Sequence, residues 1–325
     1  MLETSFTRKF GVRFPIIQAG MNAAGPELAA AVSNAGGLGT LGTIGKSPNQ
    51  VASEIARTRE LTPQPFAVNV VTFEWAPFAF DLATTAIEAG APIITASFGD
   101  PERVAHAARE AGRKTIIQVQ HMDGARRAIE FAPDLLIVQG NEAGGHTGTR
   151  GTLSFAAQVL DMVGDTPVAV AGGIANGRGL AAVLGMGAAA AVCGTRFKAT
   201  YEYPDAEYLK QQVIASDGSN TTDDEINDTA YGMEWPQGVV GRAIRNGFQH
   251  EWEGRTQELR SLVASQPPFT FVGELAAQGA AVNWAGESSG LITRIEHAAD
   301  VVTGMTKEAE ELLGRWAAVS GTATR

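Results

Sequence analysis

A histidine set among glycines is the first feature with chemical potential. Gln139-Gly140-Asn141-Glu142-Ala143-Gly144-Gly145-His146-Thr147-Gly148 follows a short apolar run, Leu135–Val138. An imidazole exchanges a proton near neutral pH, and Gly144-Gly145 lets backbone approach a flat ligand. The plain alternative is a structural histidine in a turn. Glu142 reads as an orienting or loop-capping carboxylate rather than a reacting one. Two other glycine-rich segments suit an anion: Ala171-Gly172-Gly173-Ile174, with Asn176-Gly177-Arg178-Gly179 opening a helix behind it, and Gly194-Thr195-Arg196. Backbone N–H groups and a helix start bind phosphate well; otherwise these glycines only make tight turns. Asn69, inside the apolar run Phe66–Val70, could hydrogen-bond the edge of a heterocycle, because a buried amide left unpaired costs roughly 1–3 kcal/mol. Gln18-Ala19-Gly20-Met21-Asn22-Ala23 is a further turn after an apolar run, whose plain reading places Met21 in the core.

Other chemistries lack their residues. No His/carboxylate spacing of the HExxH kind and no GxSxG elbow occurs. Gly37-Leu38-Gly39-Thr40-Leu41-Gly42 matches GxGxxG, but it begins a strand instead of opening a helix, so a dinucleotide fingerprint does not follow. His121 is a second candidate for the site, whereas His106, His250 and His297 sit in polar surroundings and read as surface residues. Cys193 reads as a small buried hydrophobe. Asp223–Glu225 reads as a solvated face or a helix start.

The elements that must position these residues alternate along the chain. Short apolar runs at Pro15–Gln18, Leu38–Gly42, Phe66–Val70, Ile93–Ala96, Thr115–Val119, Leu135–Val138, Val168–Ala171 and Ala190–Cys193 read as buried parallel strands. Ala-rich segments between them, such as Pro26–Asn34, Asn49–Leu61 and Gly177–Leu184, read as helices. Eight strand–helix units argue for a (β/α)8 TIM barrel, with a doubly wound sheet as the rival. In such a barrel, chemistry sits at the C-terminal ends of the strands, and the loops after the seventh and eighth commonly bind phosphate. The rhythm changes after Gly194. The polar stretch from Tyr201 to about Pro268 reads as helical with loops, a smaller second domain inserted after the eighth strand. Residues 1–200, completed by 290–325, would form the barrel, and 201–289 a domain capping the substrate site. Glu296–Ala317 reads as a helix packing back on the barrel.

Composition narrows the partners. With 25 basic and 35 acidic residues the chain of 325 carries a net charge of −10, which argues against nucleic acid or an anionic membrane. Charged residues at 18% beside 44% hydrophobic ones describe a folded chain rather than a disordered one. A single cysteine excludes an intramolecular disulfide and fits a reducing compartment. The opening MLETSFTRKFGVRF has no apolar signal segment, and no stretch is long enough to span a membrane, so a cytoplasmic location is expected. Together these residues describe a barrel that holds a planar, phosphate-bearing cofactor beside a histidine. Flavin mononucleotide (FMN) fits, with one phosphate, a flat ring and no adenylate half to house, and it would carry redox chemistry that the side chains cannot.

Seven motifs also resemble the nitronate monooxygenase family: PIIQAGMNAAGPELAAAVSNAGGLGTLG (15–42), FAVNV (66–70), SFGDP (97–101), QGNEAGGHTG (139–148), AGGIANGRGLAAVLGMGAAAAVCGTRF (171–197), GRAIRN (241–246) and WAGESSGLI (284–292). The resemblance implies an FMN-containing TIM barrel that oxidises alkyl nitronates, such as propionate 3-nitronate, with O2 to a carbonyl compound and nitrite. It implies FMN contacts at Met21, Asn22, Asn69, Gln139, Gly144, Gly172, Gly173, Val192, Cys193, Gly194 and Thr195. It also implies that His146 is the active-site base or the partner of the nitro group. A homodimer is compatible with the resemblance. Asn22 and Glu287-Ser288-Ser289 depart from the usual family pattern near the expected substrate site. NAD(P)H-dependent flavin reductases of the same superfamily, acting on quinones or enoyl-ACP, are the alternative, and a non-enzymatic flavin-binding module is a third.

Overall fold

The computed structural model describes residues 2–73, 79–233, 235–236, 238–266, 270–277 and 281–319. Eight parallel strands run in the order expected of a barrel: β1 (Ile16–Gln18), β2 (Gly39–Gly42), β3 (Phe66–Thr72), β4 (Ile93–Gly99), β5 (Lys114–Val119), β6 (Leu135–Gln139), β8 (Val168–Ala171) and β9 (Ala190–Cys193). Each pairs with its neighbour, and β9 returns to β1. The interval between β6 and β8 holds a short strand, β7 (Gly145–Thr147), so the seventh and eighth sequence-predicted strands are β8 and β9.

The seam between β1 and β2 closes the barrel. Leu38 N donates to Ile16 O and Gln18 N to Leu38 O, both at 2.9 Å. Gln18, fully buried, then uses its own side chain as a strand extension: Thr40 N donates to Gln18 Oε1 at 2.9 Å. The sheet is therefore continuous around the circumference, and the doubly wound alternative is excluded. This pairing also explains why Gln18 is tolerated inside an apolar run.

Alternation along each strand sorts the side chains. Ile17, Leu38, Ala67, Ile93, Ile116, Leu135, Ile137, Ala169 and Val192 fill the interior, while Val68, Ile94, Ile117, Val138, Val170 and Cys193 face the helices. A helix at Ser5–Phe10 contributes Phe6 and Phe10 to the interior cluster, and Thr4 Oγ1 donates to Ala189 O at 2.7 Å. The helix Ala298–Val319 packs on the helices Gly177–Gly185 and Pro26–Ala35, as expected for a chain that returns to the barrel.

The polar stretch differs from its reading. It contains helices at Glu207–Ala215, Ile226–Tyr231, Gly247–Trp252 and Thr256–Val263, but also β10 (Thr221–Asp224) and β11 (Val240–Ile244). With β7 these make an antiparallel sheet in the order β10-β11-β7. The acidic run Asp223–Glu225 is accordingly half strand, with Glu225 at the cap of the helix Ile226–Tyr231. These strands escaped notice because Thr-Thr-Asp-Asp and Gly-His-Thr carry no apolar alternation, and pairing to distant partners decides their conformation. The end assigned to this stretch, Pro268, lies outside the described residues. No helix among the described residues is long and apolar enough to cross a membrane.

Replacing Gln18 by Leu removes the acceptor for a buried N–H at the seam. The expected loss is roughly 1–3 kcal/mol, read as a lower midpoint in urea unfolding; an unchanged midpoint would mean the seam does not depend on this side chain.

Candidate active site

The loop after β6 is tied down at every turn. Gln139, the last residue of β6, donates from Nε2 to His146 O at 3.0 Å, and its Oε1 accepts from Gln118 Nε2 and Gln120 Nε2, both at 3.0 Å. One amide hydrogen of Gln139 remains. Thr147 Oγ1 donates to Gly140 O at 2.9 Å, and the buried Arg242 donates from Nε to Asn141 O at 2.7 Å. Glu142 caps the helix Thr152–Met162, accepting from Thr152 N at 2.8 Å and from the Thr152 hydroxyl. Its carboxylate is a loop cap, as its sequence context suggested. Gly144 packs against the backbone of Ala285 and Gly286, so its small size is used by the protein's own chain.

His146 lies on β7, directly opposite Gly241 of β11. Its Nε2 is 2.6 Å from Asp228 Oδ1; Asp228 is buried and His146 half-buried. An ionised carboxylate only accepts, so the proton of a neutral imidazole sits on Nε2 and Nδ1 keeps the lone pair. Among the described residues Nδ1 makes no hydrogen bond. Glycine at position 241 is required by space: a Cβ there would come within 2.5 Å of the Trp284 ring and 3.2 Å of Asp228 Oδ2. The Trp235 ring stacks on His146 with centroids 3.5 Å apart and planes at 12°, and Trp284 leans on it at 4.9 Å and 46°. Beyond Trp235 lie Phe73 and Phe98, at the ends of β3 and β4, each edge-on to the indole. Phe98 has φ of 56°, a conformation costing a phenylalanine about 1–3 kcal/mol. Tyr231, stacked near Trp284, is held above the ordinary phenol range by burial and stays protonated.

The loops after β8 and β9 supply a different surface. Gly173 has φ of 75°, and a Cβ there would meet nothing closer than Glu142 Cβ at 3.7 Å. A Cβ at Gly194 would find Ala19 Cβ at 3.6 Å and Met21 Sδ at 3.8 Å. Backbone is thus left clear on both turns, a cradle that larger residues would fill. The helix start at Asn176–Gly179, expected to help hold phosphate, is already taken. Asn176 Oδ1 accepts from Gly179 N at 3.1 Å and Glu308 Oε2 from Gly177 N at 2.8 Å. A carboxylate at that position repels a second anion, and no such cap stands on the glycine turns at Gly172–Gly173 and Gly194–Thr195 among the described residues. The buried cations nearby in sequence are spent: Arg196 donates to Ala199 O and Arg294 O and pairs with Glu296, and Lys198 pairs with Asp205 at 3.0 Å. Burial holds both below their ordinary range.

The remaining sequence candidates separate. Asn69 is buried and donates to Gly20 O at 3.3 Å, leaving its Oδ1 without a hydrogen bond among the described residues. Met21 is half-buried beside Gly194, whereas Asn22 is exposed and accepts from Ala23 N, stiffening its own turn. Thr195 Oγ1 accepts from Gly286 N at 2.9 Å. Val192 faces the barrel interior and Cys193 the helices, so only the Cys193 backbone is turned towards the mouth. His121 does not reach the site: it is exposed and caps the helix Met122–Ile129, its Nδ1 accepting from Gly124 N at 2.9 Å. A histidine just before a helix has a local backbone donor to satisfy, and here that use prevails. Asp228, Trp235, Phe73, Phe98 and Trp284 carried no spacing signal that reasoning from single residues could use.

The family model for nitronate monooxygenase matches residues 3–77 and 73–308. A (3aS,4S,5R,7aS)-5-hydroxy-7a-methyl-1-oxo-octahydro-1H-indene-4-carboxyl-CoA dehydrogenase of Rhodococcus jostii is 34% identical over 81% of this chain and 71% of that protein. A probable nitronate monooxygenase of Staphylococcus saprophyticus is 30% identical over 97% of this chain and 99% of its own. Among solved structures, FabK from Thermotoga maritima superposes with a TM-score of 0.86 at 29% identity, covering 98% of this chain and 100% of that one. The nitroalkane oxidase from Streptomyces ansochromogenes gives 0.80 at 28%, covering 95% and 99%.

Burial pushes the Cys193 thiol up to about 12. It is therefore a neutral thiol at every working pH, and its stabilisation is complete below the ordinary thiol value of about 8.5 and lost as pH climbs towards 12. Ellman's reagent at pH 8 is expected to find no reactive thiol in the native protein and one after guanidinium unfolding; prompt native labelling would contradict the buried placement.

Proposed function

The chain belongs to the nitronate monooxygenase family and is an FMN-dependent oxidoreductase, and we propose that it oxidises alkyl nitronates of the propionate 3-nitronate type with O2 to a carbonyl compound and nitrite. The observation that carries this reading is the His146–Asp228 pair, enclosed by aromatic rings and presenting one unengaged nitrogen. Such a group serves a small substrate with one acidic C–H, or the planar anion left when that proton is gone.

FMN, when bound, supplies the redox chemistry and the reaction with O2 for which this chain has no side chain of its own. The backbone at Gly172–Gly173 and Gly194–Thr195 would hold its phosphate. Asn69, Met21 and the remaining amide hydrogen of Gln139 would meet its ring. His146 Nδ1 takes the α-proton of a neutral nitroalkane, while Nε2–H stays on Asp228. The resulting imidazolium is then paired with a carboxylate instead of standing alone in an apolar site. With a preformed nitronate no proton has to be removed, and His146 in its imidazolium form, paired through Nε2–H with Asp228, would donate from Nδ1 towards the nitro oxygens. Phe73, Phe98, Trp235 and Trp284 keep bulk water from the reacting atoms.

A second reading has support from the relatives. The likeness to FabK and to a CoA-thioester dehydrogenase favours NAD(P)H-dependent reduction of an acyl thioester or quinone. Anaerobic mixing of the flavoprotein with propionate 3-nitronate, NADH and NADPH separates the two. Bleaching of the flavin by the nitronate alone is the expected result; rapid bleaching by a nicotinamide alone would assign the reductase reaction.

His146→Ala is expected to retain FMN and to lower turnover of a neutral nitroalkane by about 10²–10⁴-fold, with a smaller loss on preformed nitronate. Loss of flavin instead would make His146 structural. Asp228→Asn removes the acceptor that fixes the tautomer. Its expected loss on the neutral nitroalkane is roughly 10- to 10³-fold with FMN content unchanged, and wild-type rates in steady-state assays would remove Asp228 from the reaction.

A further inference from the structure

Trp235 stands closer to His146 than the exclusion of water alone requires. The imidazole of His146 has two faces and two nitrogen edges. Asp228 takes the Nε2 edge at 2.6 Å. Trp235 covers one face in parallel contact at 3.5 Å, and Trp284 leans on the ring at 4.9 Å. Among the described residues the Nδ1 edge is therefore the polar edge of this histidine left without a hydrogen bond, and the indole walls one side of the approach to it. That wall is braced from behind. Phe73 meets the indole edge-on at 4.4 Å and 89°, Phe98 at 5.4 Å and 78°, and the two phenylalanines stack on each other at 5.5 Å. Phe98 is held there by a left-handed backbone at φ 56°, a strained conformation that persists only where the surroundings over-determine it. Rings packed this way have no room to shift by the width of an alkyl chain without losing their contacts.

We propose that Trp235 is the specificity-determining residue of this site, denying the site any preference for longer alkyl chains by closing the space beside His146. The proposal rests on the reading of the site as one for alkyl nitronates. In the wild type the carbons beyond the first few are turned back towards solvent and gain no burial. Shortening the side chain at 235 opens an apolar channel lined by Phe73 and Phe98, and each methylene that enters it is worth roughly fourfold in affinity.

The test uses holoenzyme and needs no turnover. Straight-chain carboxylates from propionate to octanoate are inert planar anions of nitronate shape, and their Kd values are measured by isothermal titration calorimetry on wild type, Trp235→Phe, Trp235→Leu and Trp235→Ala. FMN content and Tm are recorded for each, and if the alanine variant fails to fold, the Phe and Leu variants carry the comparison. The expected wild-type profile is flat with chain length, while Trp235→Ala prefers octanoate to propionate by at least about tenfold, with Leu between. Affinity rising about fourfold per methylene in the wild type overturns the proposal. So do variant profiles that superimpose on the wild type while FMN and Tm are retained. Nitronate consumption is assayed separately. No consumption beside the expected carboxylate profiles removes the substrate assignment and leaves the wall in place, whereas wild-type kcat/KM that climbs with nitronate chain length removes the wall.

Discussion

The hydrogen bond between His146 and Asp228 exists only because two segments far apart in sequence are zipped together by the β7–β11 ladder. A buried carboxyl group is unfavourable unless something answers its hydrogen-bonding capacity. The imidazole provides that answer, and the sheet fixes the distance at which it does so. Gly241 leaves room for Trp284 and Asp228 at the register point opposite His146. Arg242, one residue on, reaches past the ladder to the Asn141 carbonyl and pairs with Asp223 of β10. The segment after β9 is thus tied by hydrogen bonds and ion pairs to the loop that carries His146.

The barrel supplies the stationary half of this arrangement. Its strands end at one rim, so the glycines after β8 and β9, the amide of Asn69 and the anchored loop after β6 point to a common mouth by topology alone. Gln139 illustrates how firmly that rim is set. Gln118 of the neighbouring strand and Gln120 just past its end orient its carbonyl oxygen, and its nitrogen then holds the backbone of the histidine itself. Any movement of His146 must break a chain of amide hydrogen bonds that starts in β5.

Much of this was legible in the amino-acid sequence, for physical reasons. The buried strands are short apolar runs between turn residues, a pattern imposed by burial on both faces, and every one was readable. His146 and Gly173 stood out because a titratable group or a glycine pair at a strand end has few structural uses. Asp228 did not, since a carboxylate in a polar segment is ordinarily solvated and only the folded ladder brings it to the histidine. Trp235 was silent for the same reason. β7 and β10 hid because their conformation comes from partners far along the chain. His121 and the Asn176–Gly179 turn misled in the opposite direction: both are local caps whose hydrogen-bonding capacity is consumed within the protein.

That last turn has a wider meaning. The carboxylate of Glu308, carried on the C-terminal helix, sits on the N-terminus of the helix that follows β8 and also approaches Arg178 at 3.5 Å. In effect the chain supplies its own tethered anion to one of the two helix starts at this rim. A resident group cannot be diluted away, so this start is withdrawn from competition before any free phosphate arrives. The barrel thereby avoids the degeneracy of two equivalent landing places for an anion at this rim.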